Sequence, residues 1–277
     1  MKTEVFPINY FKSIWTPIKA FTNRFKLSWP NMLVVIVFLN ALMTIPVTVN
    51  FAQMDTFPLE ELYPNAANIL ENEEALELTT ATFENGKMQV SESAIYDTDS
   101  GLLAVGVNAE EIAGAENAVI FEEDQFVVQE AGAPTTMVPY TENFSLAQAE
   151  SPEDLMSVLS DQWFVQNQVF VVAFFTLIIS VMQLVMLILT IFGSALFLYF
   201  TKNSPITSIR TYKESVNLLL NTISLPTILA MLFGLISFNV ITMQMIQVLG
   251  LLGMLLFIYF KIQFNDEKVD PVNLDYL

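Results

Sequence analysis

The side chains that most often carry chemistry are scarce in this sequence. Among its 277 residues there is no histidine and no cysteine, which excludes thiolate nucleophiles, disulfides, Cys or His zinc sites and imidazole proton transfer. A serine activated by a lysine would need Lys87, the single lysine between Ala52 and Gln162, and that residue falls in a hairpin. Carboxylates are dense in the same stretch, but a glycosidase needs two of them facing each other across a cleft, for which some 110 residues leave little room. No catalytic residue is assigned, and the chain is read as non-enzymatic. Asp97-Thr98-Asp99-Ser100-Gly101 resembles the opening of a calcium loop, with the glycine one place early and Asn108 where the bidentate acid should fall. Asp97 and Asp99 are therefore weak metal candidates on a solvated hairpin tip, and no cofactor is expected.

A second group of polar residues lies in an apolar setting. Asn217, Asn221 and Ser224 recur at spacings of four and three, one face of a helix, beside Pro226. Two readings stay open: hydrogen bonds between helices, or a polar lining for a small pore or a lipid-headgroup site. Asn40 is a further amide in an apolar run, expected to bond a neighbouring helix.

The elements that must position these residues are membrane helices. Mean hydropathy is +0.51 and only 14% of residues are charged, against about a quarter in soluble domains. Gln168 to Phe200 holds no charged side chain; at about 1.5 Å per helical residue it reaches some 50 Å, more than a hydrocarbon core of roughly 30 Å. A proline and two acids after Ser151 mark a helix start that would run as a stalk into this span. The alternative, two short spans broken at Gly193-Ser194, would put Lys202, Arg210 and Lys213 on the wrong side. Asn31 to Phe51 gives another span opened by Trp29-Pro30, and Ser215 to Phe260 gives two more around a turn at Phe238-Asn239-Val240. Met243, Met245 and Met254, with Gly250 and Gly253, read as packing material.

Charge sorts with position. Ten of the eleven Lys and Arg sit in three short segments: residues 2 to 26, 202 to 213 and 261 to 268. Ala52 to Gln162 carries twenty-three Asp or Glu against the lone Lys87, a net of −22. Positive residues near span ends mark the cytoplasmic side. The fold class is thus a polytopic α-helical membrane protein of four transmembrane helices, with a small antiparallel β-rich (α+β) extracytoplasmic domain between helices 1 and 2. Its parts are a cytoplasmic N-terminus, 1–28, with one amphipathic interfacial helix over 6–27 kinked at Pro17; helix 1, 29–52; an extracellular domain and stalk, 53–162; helix 2, 163–201; a cytoplasmic linker, 202–217, helical from Ser204-Pro205; helices 3 and 4, 218–260; and a cytoplasmic tail, 261–277. The start has no short apolar core before a small-residue cleavage site, so helix 1 is expected to be its own signal anchor.

Within 53–162 the period changes to that of strands. Asn85-Gly86 is a strong hairpin signal, because a type I′ turn needs two residues that tolerate positive φ. Asp97 to Gly101 and Glu122 to Gln125 mark two further hairpins, and TTMVPY an edge strand, since Pro139 cannot donate to a ladder.

Several stretches together resemble an uncharacterised family of Gram-positive integral membrane proteins that includes a maltodextrin-utilisation protein. They are YFKSIWTPIKAF, FENGKM, AVIFEEDQFVV and TYKESVNLLLNTISLPTIL. The KES…LP pattern, Lys213-Glu214-Ser215 to Leu225-Pro226, is also similar to the Yip-type membrane superfamily. The first resemblance implies a plasma-membrane protein associated with sugar uptake and supplies no catalytic residues.

The function read from all this is a non-enzymatic accessory or regulatory protein of the plasma membrane, linked to carbohydrate uptake or envelope maintenance. Its partners are the lipid bilayer and a membrane protein, with no nucleic acid. The alternatives are a small-solute or lipid transporter subunit and an extracytoplasmic sensor of cations or wall fragments. The map makes a direct prediction. Protease added to intact cells should digest residues 53–160 and spare 202–213; cleavage of 202–213 with 53–160 left intact would invert the topology.

Overall fold

The computed structural model describes residues 6–269 except Ser91 and Ala113. The chain divides into two compact units, one formed by residues 1–53 and 172–277 and the other by residues 54–171.

The first unit is helical. Two short helices, α1 (Ile8–Ser13) and α2 (Pro17–Thr22), precede α3 (Trp29–Ala52). The long α5 (Pro152–Phe200) contributes its C-terminal part, followed by α6 (Tyr212–Ile236) and α7 (Val240–Ile262). Among the described residues four helices are long and apolar enough to cross a membrane: Trp29–Ala52, Pro152–Asn203, Tyr212–Ile236 and Val240–Ile262. α5 runs unbroken through Gly193-Ser194.

Side chains cap the starts of several helices. Thr16 and Ser28 accept main-chain hydrogen bonds from Lys19 and Asn31, each with proline in the first turn. Asn239 caps α7 through Thr242. The expected helix from Ser204-Pro205 is corrected: α6 begins at Tyr212. Thr211 and Glu214 form a reciprocal cap there, the Glu214 amide donating to the Thr211 hydroxyl (3.2 Å) and that hydroxyl to the carboxylate (2.8 Å).

Every residue of α6 from Glu214 to Ser224 is buried, as a helix wrapped on all sides must be. Leu219, Leu220 and Ile223 pack with Met32, Val35 and Leu39 of α3, Leu187 and Ile191 of α5, and Leu251 of α7. The ring of Pro226 lies against Gly250, where an added Cβ would come within 2.7 Å of it.

The single amphipathic helix expected over 6–27 is also corrected. It is two helices broken at Ile14 to Thr16, and its apolar face enters the bundle: Ile14, Ile18 and Phe21 are buried, while Phe11, Trp15 and Phe25 are exposed. Proline at residue 17 cannot continue a preceding helix without loss of a main-chain bond, which separates the two.

The second unit holds α4 (Pro64–Leu70), flanked by 3₁₀ turns at Leu59–Glu61 and Glu73–Thr80, the N-terminal part of α5 and seven strands. A two-stranded ribbon, β1 (Thr82–Glu84) with β2 (Lys87–Gln89), closes at Asn85-Gly86, whose φ values of 52° and 75° meet the type I′ requirement. The main sheet has the order β3 (Ala94–Thr98), β4 (Gly101–Val105), β5 (Ala118–Phe121), β6 (Gln125–Gln129), β7 (Thr136–Pro139). Proline at residue 139 ends an edge strand.

An all-antiparallel sheet is not what forms. β4 and β5 run parallel, Leu102 opposite Ala118 and Val105 opposite Phe121. Parallel neighbours need a crossover rather than a hairpin, and residues 106–117 supply it, with a 3₁₀ turn at Ala109–Ile112 that places Ile112 on Ala104, Ile120 and Val127. α4 also packs against β4 and β5. Covered on both sides, β5 is buried at all four positions, which is why its sequence AVIF shows no alternation.

Gly101 follows from this crossover. Its φ is 147°, and a Cβ there would lie 2.4 Å from the carbonyl oxygen of Asn117. That carbonyl accepts from the Leu102 amide (3.0 Å), and the Asn117 side chain ties Ser100 to Ala131. Gly101→Ala should therefore destabilise the β3–β4 hairpin by about 1–3 kcal/mol, read in the intact protein as faster amide exchange across residues 94–105. Unchanged exchange there would contradict this account of the glycine.

Candidate functional site

One group of buried polar residues in the helical unit lies on α6. Asn217 donates its side-chain amide to the Leu27 carbonyl (3.1 Å), and Asn221 donates to the Ala20 carbonyl (3.1 Å). Ser224 is hydrogen-bonded to the phenol of Tyr10. One turn on, Thr227 accepts from Gln247 of α7 (2.7 Å). Asn217, Asn221 and Ser224 thus meet the main chain and one side chain of the N-terminal segment, and Pro226 meets Gly250. The carboxamide oxygens of Asn217 and Asn221 are buried without a partner.

An ionic group lies at the same end of α6. Arg24 has no solvent exposure. Its guanidinium makes a two-pronged contact with Asp266, Nη1 to Oδ1 at 2.9 Å and Nη2 to Oδ2 at 2.6 Å, and donates from Nη1 to the Phe21 carbonyl at 3.1 Å. Its Nε is 3.6 Å from Glu214 Oε2. The rings of Phe21 and Phe25 lie on it at 4.1 and 4.2 Å. A planar, weakly hydrated cation can be held this way, where a lysine ammonium could not fill the fork. Glu214 is shared: the carboxylate that faces Arg24 also accepts from the Arg210 amide (3.2 Å). Arg210 in turn donates to the carbonyls of Lys202 and Ser204. The amide of Ser208 donates to the Phe264 carbonyl (2.7 Å). The N-terminal segment, the 202–211 connection and residues 264–266 are stitched together by these bonds.

Burial pushes the Tyr10 phenol well above its ordinary range, and the bond to Ser224 opposes this only in part. Tyr10 is therefore a neutral hydrogen-bonding group and not a proton donor to solvent. Nothing in this cluster pairs a nucleophile with a base. Its chemistry is that of a clasp: one cation, two carboxylates and the hydrogen-bonded side chains of Tyr10, Asn217, Asn221 and Ser224, joining segments far apart in sequence.

In the strand-bearing unit, Asp97 and Asp99 are exposed at the β3–β4 tip. Thr98 closes that turn by donating to the Gly101 carbonyl (2.7 Å). Among the described residues, no three His, Cys, Asp or Glu side chains gather as a metal site requires. An open cleft of about 270 Å³ carries Glu60, Glu71 and Glu153 on its lining. The Ser160 hydroxyl beside them is engaged by the Leu59 amide (3.0 Å). Lys87 pairs with Glu123 at 2.7 Å in full solvent, a contact of little energetic weight.

Arg24, Glu214, Asp266 and Tyr10 were not legible as a site. The available signals were small: the single Arg among lysines at the N-terminus, and the Thr-x-x-Glu capping pattern at 211–214. Asn40 does reach a neighbouring helix, donating to Ser180 of α5 (3.0 Å).

The clasp yields a graded prediction. Arg24→Met leaves Glu214 buried without its cation and should cost on the order of 3–5 kcal/mol. Asp266→Asn, at a half-exposed carboxylate, should cost far less. Thermal unfolding of the detergent-solubilised protein would show the ranking; equal effects would contradict it.

Comparison with known proteins gives a consistent set. The family described as "Protein of unknown function (DUF1189)" matches residues 9–262. The chain is 27% identical over 268 residues to the "Maltodextrose utilization protein MalA" of Streptococcus pneumoniae (strain ATCC BAA-255 / R6), covering 95% of this chain and 98% of that one. It is 25% identical over 272 residues to the "Putative maltodextrin utilization protein YvdJ" of Bacillus subtilis (strain 168), covering 94% and 90%. No solved structure matches it.

Proposed function

The chain belongs to the DUF1189 family, and from that premise we propose that it is a non-enzymatic, multi-pass protein of a Gram-positive plasma membrane. It acts as an accessory or regulatory subunit linked to maltodextrin or other carbohydrate uptake. In this reading both termini and the 202–217 linker are cytoplasmic, and residues 53–162 face the exterior.

The observation that carries the reading is the clasp. All three cationic segments of the sequence meet at one end of the helical unit, through Arg24 with Asp266 and Glu214 and through Ser208 with Phe264. A membrane protein obeying the positive-inside bias needs those segments on one side, and four crossings return the chain to it. The names of the two relatives support the link to maltodextrin.

The polar face of α6 bears on the choice between subunit and carrier. A solute path along Asn217, Asn221 and Ser224 would need that face open, whereas the main chain at Ala20 and Leu27 occupies it. Apart from helix ends such as Lys213-Glu214 and Lys261, the stretches 31–51, 168–200 and 215–260 hold no Asp, Glu, Lys or Arg, of which proton-coupled carriers ordinarily keep at least one within a span. Both points favour the accessory role. The partner is a membrane protein, met through the large apolar surface that α5 and α7 leave exposed, Leu177, Phe197 and Phe260 among it.

The test joins two measurements. Purification in mild detergent should recover the protein with a second plasma-membrane protein, and its deletion should slow growth on maltodextrin relative to glucose. Recovery of a lone protomer together with wild-type growth on maltodextrin would contradict the proposal.

A further inference from the structure

α5 turns a mixed face toward α3. Thr176, Ser180 and Gln183 recur at spacings of four and three, and Leu187, Ile191 and Ala195 continue the row as buried apolar residues. Opposite them, α3 presents Asn40 and Thr44 one turn apart. The Ser180 hydroxyl accepts from the Asn40 amide (3.0 Å) and lies 2.9 Å from the Thr44 hydroxyl, which itself donates to the Asn40 carbonyl (3.0 Å). On one side of this group Phe51 stacks on Phe175, with ring centroids 5.5 Å apart. On the other, Leu187 and Ile191 pack with Ile36 and Leu39.

Between an aromatic stack and an apolar plug, the polar atoms do not balance. Gln183 is 3% exposed, yet neither end of its amide has a hydrogen-bond partner. The Asn40 carboxamide oxygen and the Thr176 hydroxyl are buried and unpaired as well. An amide with neither end met in a low-dielectric interior is among the costlier arrangements a protein can hold. α6 differs, since each of its asparagines is already fixed by one donated bond.

The unmet groups define what would fit. Two carbonyl-type oxygens accept, the Gln183 –NH₂ donates, and the Thr176 hydroxyl does either. No charged side chain occurs on α3, or on α5 after Asp161, so nothing there would balance an ion. A hydroxyl group, donor and acceptor in one, satisfies this set. We propose that the α3–α5 seam is a binding site for a small uncharged hydroxyl-bearing molecule, held between Asn40 and Gln183. Water and a polyol share that chemistry. The inference rests on the reading that these helices cross a bilayer, where the outer faces of α3 and α5 are kept from bulk solvent as well.

Full-length protein with ¹⁵N-labelled Gln and Asn, reconstituted into phosphatidylethanolamine–phosphatidylglycerol vesicles, would be examined by solid-state NMR. Failure to enter the vesicles at all would sink the membrane reading separately. In the reconstituted protein, the Gln183 side-chain signal, assigned by its loss in Gln183→Leu and its shift in Gln183→Asn, should receive magnetisation from mobile hydroxyl protons. With ¹³C-glycerol present, a ¹³C–¹⁵N contact at Gln183 would identify a polyol as the guest, and a water contact without it would identify water. No contact with either overturns the proposal. Gln183→Leu gives an independent sign: its unfolding midpoint should fall when a bound hydroxyl is lost, and a rise would show the amide to be unmet and the site to be wrong.

Discussion

A guanidinium with no access to solvent is the constraint around which the helical unit is arranged. Arg24 cannot shed its charge, so its surroundings must supply anions, acceptors and flat surfaces. Asp266, Glu214, the Phe21 carbonyl and two aromatic rings do so. These groups come from the N-terminal segment, the start of α6 and the stretch after α7. Satisfying one cation therefore fixes three distant parts of the sequence together. The same requirement explains why α1 and α2 pack inward: the asparagines of α6 need acceptors, and Ala20 and Leu27 present main-chain carbonyls to them.

Much of the architecture was legible because it follows from solvent preference and local stereochemistry. Long uncharged runs gave the four apolar helices, and positive-φ pairs such as Asn85-Gly86 gave the hairpin that forms. What escaped reading depends on non-local partners. The aromatic and aliphatic spacing of residues 11 to 25 reads equally well as a face lying on a membrane or as one buried in a bundle; the choice is made by α6 and α7, far along the chain. The parallel pairing of β4 with β5 was hidden for a similar reason. Nothing in GLLAV or AVIF states strand direction, and the crossover at 106–117 looks like any polar connection until Ile112 is seen to cover Ala104 and Val127.

The candidate site was half visible. Asn217, Asn221, Ser224 and Pro226 were picked out by spacing alone, but their partners were not. Their hydrogen bonds run to Tyr10 of α1, Ala20 of α2 and the Leu27 carbonyl, segments that spacing on α6 could not name. Gly101 stands beside the aspartates in sequence, and its conformation is required by the approach of the Asn117 main chain, a partner that the letters around it do not name.

Residues 8–27 form an inner layer of the helical unit, seated on α6 and α7, rather than a loose elbow. Phe21 and Phe264 are neighbours with ring centroids 6.2 Å apart, and the chain has no cysteine of its own. A Phe21→Cys, Phe264→Cys pair treated in native membranes with a short bis-methanethiosulfonate reagent, which bridges sulfurs too far apart for a direct disulfide, should therefore give one intramolecular crosslink, seen as a mobility shift lost on reduction. Two cysteines that are each present and alkylatable after denaturation, yet form no crosslink in the membrane, would show that the N-terminal segment does not sit where this account puts it.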